Sequence, residues 1–128
     1  MKAHLILYVS NQALSAAFYA RVLAQPPQLD VPGMTEFLLS EDLMLGLMPV
    51  SSIKRLLGER LPDPNNAAGT PRAELYLLVD DPAAYYQRAL DAGAGELSKL
   101  SPRDWGHSVA YCLDPDGHVL AFARDVTV

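Results

Sequence analysis

The chain predicts an α+β fold built from two similar halves, each reading strand, helix, strand, strand, strand. Three observations carry that expectation. Residues 4–10 read His-Leu-Ile-Leu-Tyr-Val-Ser, and residues 74–80 read Glu-Leu-Tyr-Leu-Leu-Val-Asp. Both are short apolar strands opened by a side chain able to bind a metal. Each then runs through a polar cap into an Ala/Tyr-rich helix. Each half also carries an acidic turn before another apolar strand. The first is Glu41-Asp42 ahead of Leu43–Met48, and the second is Asp114-Pro115-Asp116-Gly117 ahead of Val119–Ala123. Two such halves imply paired modules with a cavity between sheets, so the lining of that cavity becomes the functional question.

The elements follow in order. Residues 4–9 form a strand, and Ser10 or Asn11 caps the next element. Leu14, Phe18 and Val22 recur at a spacing of four, which predicts a helix over 12–24 with one apolar face. Pro26-Pro27 ends it. A short extended piece is expected at 28–31, then a hairpin of Glu36–Leu39 and Leu43–Met48. Residues 49–73 contain Pro49, Pro62, Pro64, Pro71 and an Asn65-Asn66 pair, the composition of a connector. Within it, Ser51 or Ser52 is placed to cap a short helix through Ile53, Leu56 and Leu57, stopped by Gly58. The expected organisation is therefore one domain over 1–128: module one at 1–48, the connector at 49–73, and module two at 74–128. In module two a strand at 74–79 leads to Asp80-Asp81-Pro82, an acidic cap with proline at the first helical position. A helix runs from 82 to about 92 and stops at Gly93. A short strand is expected at 96–99. Trp105-Gly106-His107 opens a strand to Leu113, Asp114–Gly117 turns, and 118–124 closes the module.

Composition narrows the classes. Half of the residues are apolar, and the formal net charge is −5. The ten Lys and Arg are scattered, which disfavours nucleic acid and anionic membranes as partners. No apolar run is long enough to span a bilayer. The N-terminal run is short and reads as a strand, not a signal peptide. Cys112 is the single cysteine; it forms no intrachain disulfide, which fits a cytoplasmic location. Sites built on several thiolates are excluded. No nucleophile elbow, phosphate loop or dinucleotide fingerprint is present.

The residues that carry a family resemblance are His4…Val9, the helix with Phe18-Tyr19…Val22-Leu23, Val79-Asp80-Asp81-Pro82, Trp105-Gly106 and Asp114-Pro115-Asp116-Gly117-His118. Together they span almost the whole chain, and the pattern resembles the vicinal oxygen chelate superfamily of glyoxalases, bleomycin-resistance proteins and extradiol dioxygenases. The resemblance implies two βαβββ modules whose curved, mostly antiparallel sheets surround a cup, in a homodimer. It leaves the reaction open, because one fold hosts many functions.

Enzymes of this family generally hold a divalent metal with His and Glu, and the resemblance puts His4 and Glu74 at two ligand positions. The carboxylate positions fall on Gly46 and Ala121, which have no donor atoms. Two protein ligands are fewer than a working metal site usually has. The sequence therefore favours no cofactor, with a divalent metal as the alternative.

Strand alternation places His4, Ile6 and Tyr8, and likewise Glu74, Tyr76 and Leu78, on the faces that look into the cup. Met44, Gly46 and Met48 share a face, as do Val119, Ala121 and Ala123. A His4–Glu74 hydrogen bond across the cup is one expectation, and Glu74 in a surface pair with Arg72 is the plain alternative. Small residues at the former ligand positions are expected to leave space. The ligand-binding candidates are His4, Tyr8, Met44, Met48, Glu74, Tyr76, Trp105 and His107. His118 reads as an exposed strand starter. Three functions remain: metal-independent sequestration of a small organic ligand, like the bleomycin-resistance branch; a metal-dependent lyase or dioxygenase using His4, Glu74 and a further ligand; or a structural dimer with a vestigial cavity. The first is favoured.

Overall fold

The computed structural model describes residues 1–126 as a mixed α+β chain with two four-stranded sheets. The elements are β1 (Ala3–Val9), α1 (Gln12–Leu23), β2 (Leu29–Val31), β3 (Met34–Ser40), β4 (Leu43–Pro49), α2 (Val50–Leu57), β5 (Glu74–Leu78), α3 (Pro82–Asp91), β6 (Gly95–Pro102), β7 (His107–Leu113) and β8 (Val119–Asp125). Two short 3-10 turns, Gly58–Arg60 and Pro64–Ala67, occupy the connector. The chain divides into two compact units. One holds Met1–Ala20 with Ala24–Ala68, and the other holds Arg21–Leu23 with Gly69–Val128.

The first sheet has strand order β1-β4-β3-β2 and the second β5-β8-β7-β6. In each, the first strand pairs in parallel with the last, and the other pairings are antiparallel. The two halves thus repeat one topology, as the doubled sequence pattern predicts. A parallel partner needs a crossover, and the helix of each module supplies it.

Side-chain alternation sets the faces. In the first sheet Leu7, Leu47 and Thr35 lie in one cross-strand row, and Leu45 and Phe37 in the next; all five are buried. Gln12, at the start of α1, bonds to Thr35 Oγ1 at 2.9 Å, so the helix lies on this face. The opposite face carries His4, Ile6, Tyr8, Met44, Gly46 and Met48, and it is the more open one. In the second sheet Leu75, Leu120 and Cys112 form a buried row on one face. Helix α3 packs against β7 and β8 and buries Tyr86 and Ala89.

Four local expectations need correction. The buried stripe of α1 is Ser15, Phe18, Tyr19 and Val22, whereas Leu14 is 53% exposed. A spacing of four alone drifts around a helix, whereas positions 15, 18, 19 and 22, three and four apart, keep to one side. Helix α1 ends before the prolines: Ala24 adopts a left-handed φ of 54° and the Gln25 N–H returns to the Ala20 carbonyl. Helix α2 begins at Val50 directly after Pro49, with no side-chain cap, so Ser51 and Ser52 lie inside its first turn. Strand β6 runs over Gly95–Pro102, twice the expected length, because pairing with β7 carries it through two register shifts. The caps elsewhere are as expected. Asn11 Oδ1 accepts from the Leu14 N–H, and Asp81 Oδ1 accepts from the Ala84 N–H beside Pro82.

Candidate functional site

On the open face of the second sheet, β7 and β8 pair Val109 with Ala123 and Tyr111 with Ala121, and β5 sets Tyr76 beside Ala121. Val109, Ala121 and Ala123 are fully buried, and the Tyr76 and Tyr111 rings pack on them. The space left by small residues is therefore filled by the tyrosines. This corrects the expectation of a vacancy at Ala121: a fully buried methyl in apolar contact is the interior of a packed layer.

A hydrogen-bonded chain tops that layer. Trp105 Nε1 donates to the Tyr76 hydroxyl at 3.0 Å, and the same oxygen lies 2.6 Å from His107 Nδ1. Indole N–H only donates, so the Tyr76 oxygen accepts from Trp105, and it shares a hydrogen bond with His107 Nδ1 whose direction follows the histidine tautomer. The hairpin between β6 and β7 positions the tryptophan. Arg103 N–H bonds to the His107 carbonyl, Gly106 N–H bonds to Arg103, and Gly106 takes a φ of 87° that suits glycine. The Trp105 ring is left 55% exposed at the tip.

Arg103 closes the other side. Its guanidinium lies 5.2 Å from the Tyr111 ring centre and donates to Ser98, the Lys99 carbonyl and the Val109 carbonyl. Burial holds the Tyr111 hydroxyl above its usual range, helped by the charges of Glu74 and Tyr76 and opposed by Arg103. Glu74 opens β5 on this same face and is exposed.

The first sheet carries a separate cluster. His4 Nδ1 lies 3.1 Å from Glu36 Oε2 on β3. The sequence expected Glu74 as this partner; the structure gives Glu36. Glu36 stands directly across from Gly46, and Gly46 has no side chain to block its reach toward β1. Met44 is the direct neighbour of His4 across the β1–β4 pair, and Met48 is the neighbour of Tyr8. A Cβ on Gly46 would stand 3.1 Å from Ile6 Cγ1 and 3.2 Å from Met34 Sδ. This position too is covered by its neighbours and is not a vacancy.

These placements bear on the divalent metal. At Gly46 a longer side chain meets Ile6 and Met34, and at Ala121 it meets packed rings. Among the described residues no three His, Cys, Asp or Glu side chains gather. The residues present do not fit the carboxylate-rich centre that the resemblance implies.

The structure therefore brings Tyr76, Trp105 and His107 together, sets Met44 beside His4, and pairs His4 with a carboxylate that sequence reading missed. Glu36, Arg103 and Tyr111 are the overlooked residues. Glu36 is an acid in a mainly apolar strand, and its pairing with Gly46 places it on the open face. His118 is half-buried in the turn, where its N–H donates to the Asp114 carboxylate. An open groove of about 600 Å³ lies elsewhere, between Ala13, Ala16, Ala17 and Ala20 of α1 and Val31-Pro32. The polar groups at its edge bond within the protein: Gln12 to Thr35, Val31 and Gly33, and Asp30 to Thr35.

Known proteins share this architecture. A glyoxalase-related enzyme from Fulvimarina pelagi superposes with a TM-score of 0.81 at 20% identity, over 98% of this chain and 88% of that one. A glyoxalase/bleomycin resistance protein/dioxygenase family enzyme from Burkholderia phytofirmans gives 0.79 at 16% identity, over 95% and 96%. At such identities the likeness concerns the fold. An uncharacterized protein of Mycobacterium bovis is 29% identical over 123 residues, which is 94% of this chain and 80% of the relative. The sequence pattern of the Glyoxalase/Bleomycin resistance protein/Dioxygenase superfamily matches residues 3–122, and the chain belongs to that superfamily.

Proposed function

We propose that the protein binds a small, partly aromatic organic ligand on the open face of the second sheet, without a divalent metal. One observation carries the reading: the Tyr76 hydroxyl is held between Trp105 and His107, beside an exposed indole ring. A flat apolar surface with a few oriented polar groups is the usual make-up of an organic-ligand site. Trp105 offers a stacking face, His107 Nε2 offers a hydrogen-bonding group, and Glu74 favours cationic over anionic groups. Capture requires affinity alone, so no bond-making group is needed. Small-molecule binding also accords with what the superfamily name covers.

The test is a thermal-shift screen of aromatic and heteroaromatic compounds, with the protein dialysed against a chelator. A ligand at a hundred times its Kd raises stability by about 2.7 kcal/mol. Hits are expected to quench the Trp105 fluorescence and to weaken in Trp105→Ala and Tyr76→Phe. Stoichiometric nickel, zinc, iron or manganese that survives dialysis and is needed for binding or turnover would overturn the reading in favour of a metal-dependent lyase or dioxygenase.

A further inference from the structure

Arg103 is a cation without a counter-ion on the face that carries Tyr76, Trp105 and His107. Its guanidinium is half-buried beside the Tyr111 ring, 5.2 Å from the ring centre. Ser98 stands across from Tyr111 in the β6–β7 pair, so the Nη2 bond to Ser98 Oγ at 2.9 Å keeps the group on this open face. The other acceptors of Nη2 are the Lys99 and Val109 carbonyls, at 3.1 and 2.8 Å. Every hydrogen bond of the guanidinium therefore leaves from one nitrogen. Nε is buried with no acceptor. Nη1 has none among the described residues, and unlike Nε it is not sealed from solvent.

Neutral acceptors hold the guanidinium in place but leave its charge unbalanced, and no carboxylate among the described residues pairs with it. A partly buried charge is normally paired, because burial removes the water that would otherwise solvate it. A planar guanidinium already fixed through one nitrogen has little freedom left to lose when it takes a further acceptor. The Nη1 protons suit a carboxylate oxygen, and such ionic hydrogen bonds are about twice as strong as neutral ones. The Tyr111 and Tyr76 rings flank Ala121 and give an attached aromatic group an apolar surface. Glu74 enters the same face on β5, two strands from Tyr111, so its preference for cations acts at the other end of a ligand. The net charge of −5 slows the approach of an anion, whereas the bound state is governed by the local contact.

We propose that the ligand of the second sheet is an aromatic carboxylate, with its carboxylate read by Arg103 Nη1 and its ring lying along the Tyr111–Tyr76 surface toward Trp105. The inference rests on aromatic-ligand binding at this face and adds the chemical class. Arg103 is then the residue that sets specificity, separating a carboxylate from a neutral compound of the same shape. Binding makes and breaks no covalent bond.

The experiment compares naphthalene carboxylate with its neutral isostere naphthalene carboxamide, by isothermal titration calorimetry of the full chain. The wild-type protein is expected to bind the carboxylate about tenfold more tightly. Arg103→Gln is expected to lose that preference while binding the carboxamide unchanged. Arg124→Gln, at an exposed position of β8, is expected to keep it. Should Arg103→Gln fail to fold by circular dichroism, NMR contacts from the carboxylate compound to the Tyr111 ring of the wild-type protein make the same test. Equal affinity of the wild type for the two compounds overturns the proposal and leaves aromatic binding standing. A preference that survives Arg103→Gln, or compound contacts confined to residues other than Tyr111, also overturns it. No binding of the carboxylate overturns it too, and the wider compound screen then decides aromatic binding by itself.

Discussion

At the scale of single residues, the acidic turn of the second module shows how closely backbone and side chain are fitted. Asp114 is buried, and its Oδ1 accepts from the N–H groups of Asp116 and His118. The turn closes through the Asp114–His118 and Gly117–Asp114 backbone bonds. Gly117 takes a φ of 86°, and a Cβ there would lie 2.8 Å from the Gly69 Cα. The glycine therefore answers two demands: left-handed backbone and close approach of another chain segment. Gly93 has a comparable φ of 100° but nothing within 4 Å of an added Cβ. Gly93→Ala is expected to cost about 1 kcal/mol from backbone strain. Gly117→Ala is expected to cost clearly more, because the Gly69 backbone must also shift. Urea denaturation of both variants checks the ordering, and equal losses would remove the close-approach argument.

At the scale of elements, helix ends show where local chemistry dictates structure and where it merely tolerates it. Asp81 and Pro82 start α3 in the way their residue types favour, so Asp81→Ala is expected to cost about 1 kcal/mol. The end of α1 is different. Ala24 holds a left-handed conformation that suits glycine, and the Gln25–Ala20 hydrogen bond completes the helix terminus around it. Ala24→Gly is thus expected to raise stability by up to about 1 kcal/mol, since relief of the strain outweighs the added freedom of the unfolded chain. Thermal melts of the two variants are expected to move in opposite directions. The strands were legible to different degrees for the same reason. β1, β4, β5 and β8 are continuous apolar runs bounded by turns, and their sequence is sufficient. β6, with Ser98, Lys99 and Ser101 along it, becomes a strand through pairing with β7.

For the molecule as a whole, buried groups in the second unit set its response to alkali. Cys112 is fully buried, and burial followed by the charge of Asp114 pushes its thiol up to about 12 from an ordinary 9.0. Tyr86 is raised as well, by burial first and then by its 2.6 Å hydrogen bond to Glu96. Both groups are neutral when protonated, and folding makes ionisation harder. The stability they confer is complete below the unfolded-state value near 9.0 and is lost as pH climbs toward 12. The urea midpoint is expected to hold between about pH 7 and 8 and to fall steadily above about pH 9. Cys112→Ala is expected to make that fall shallower. A midpoint independent of pH over the alkaline range would sink this account.

The doubled module was legible because each half repeats the same short-range signals: a short apolar strand, a capped helix and an acidic turn before a further apolar strand. Those signals act within a few residues, so sequence alone determined the order of elements, the faces of β1, β4, β5 and β8, and the absence of donor atoms at Gly46 and Ala121. The contents of the open faces were decided by contacts between strands that are distant in sequence. Nothing near His4 announces that Glu36 will reach it across Gly46. Nothing near Ala121 announces that Tyr76 and Tyr111 will cover it, or that Tyr76 will meet Trp105 and His107 about thirty residues on. Strand register and side-chain reach make those pairs, and both exist only once the sheets have formed.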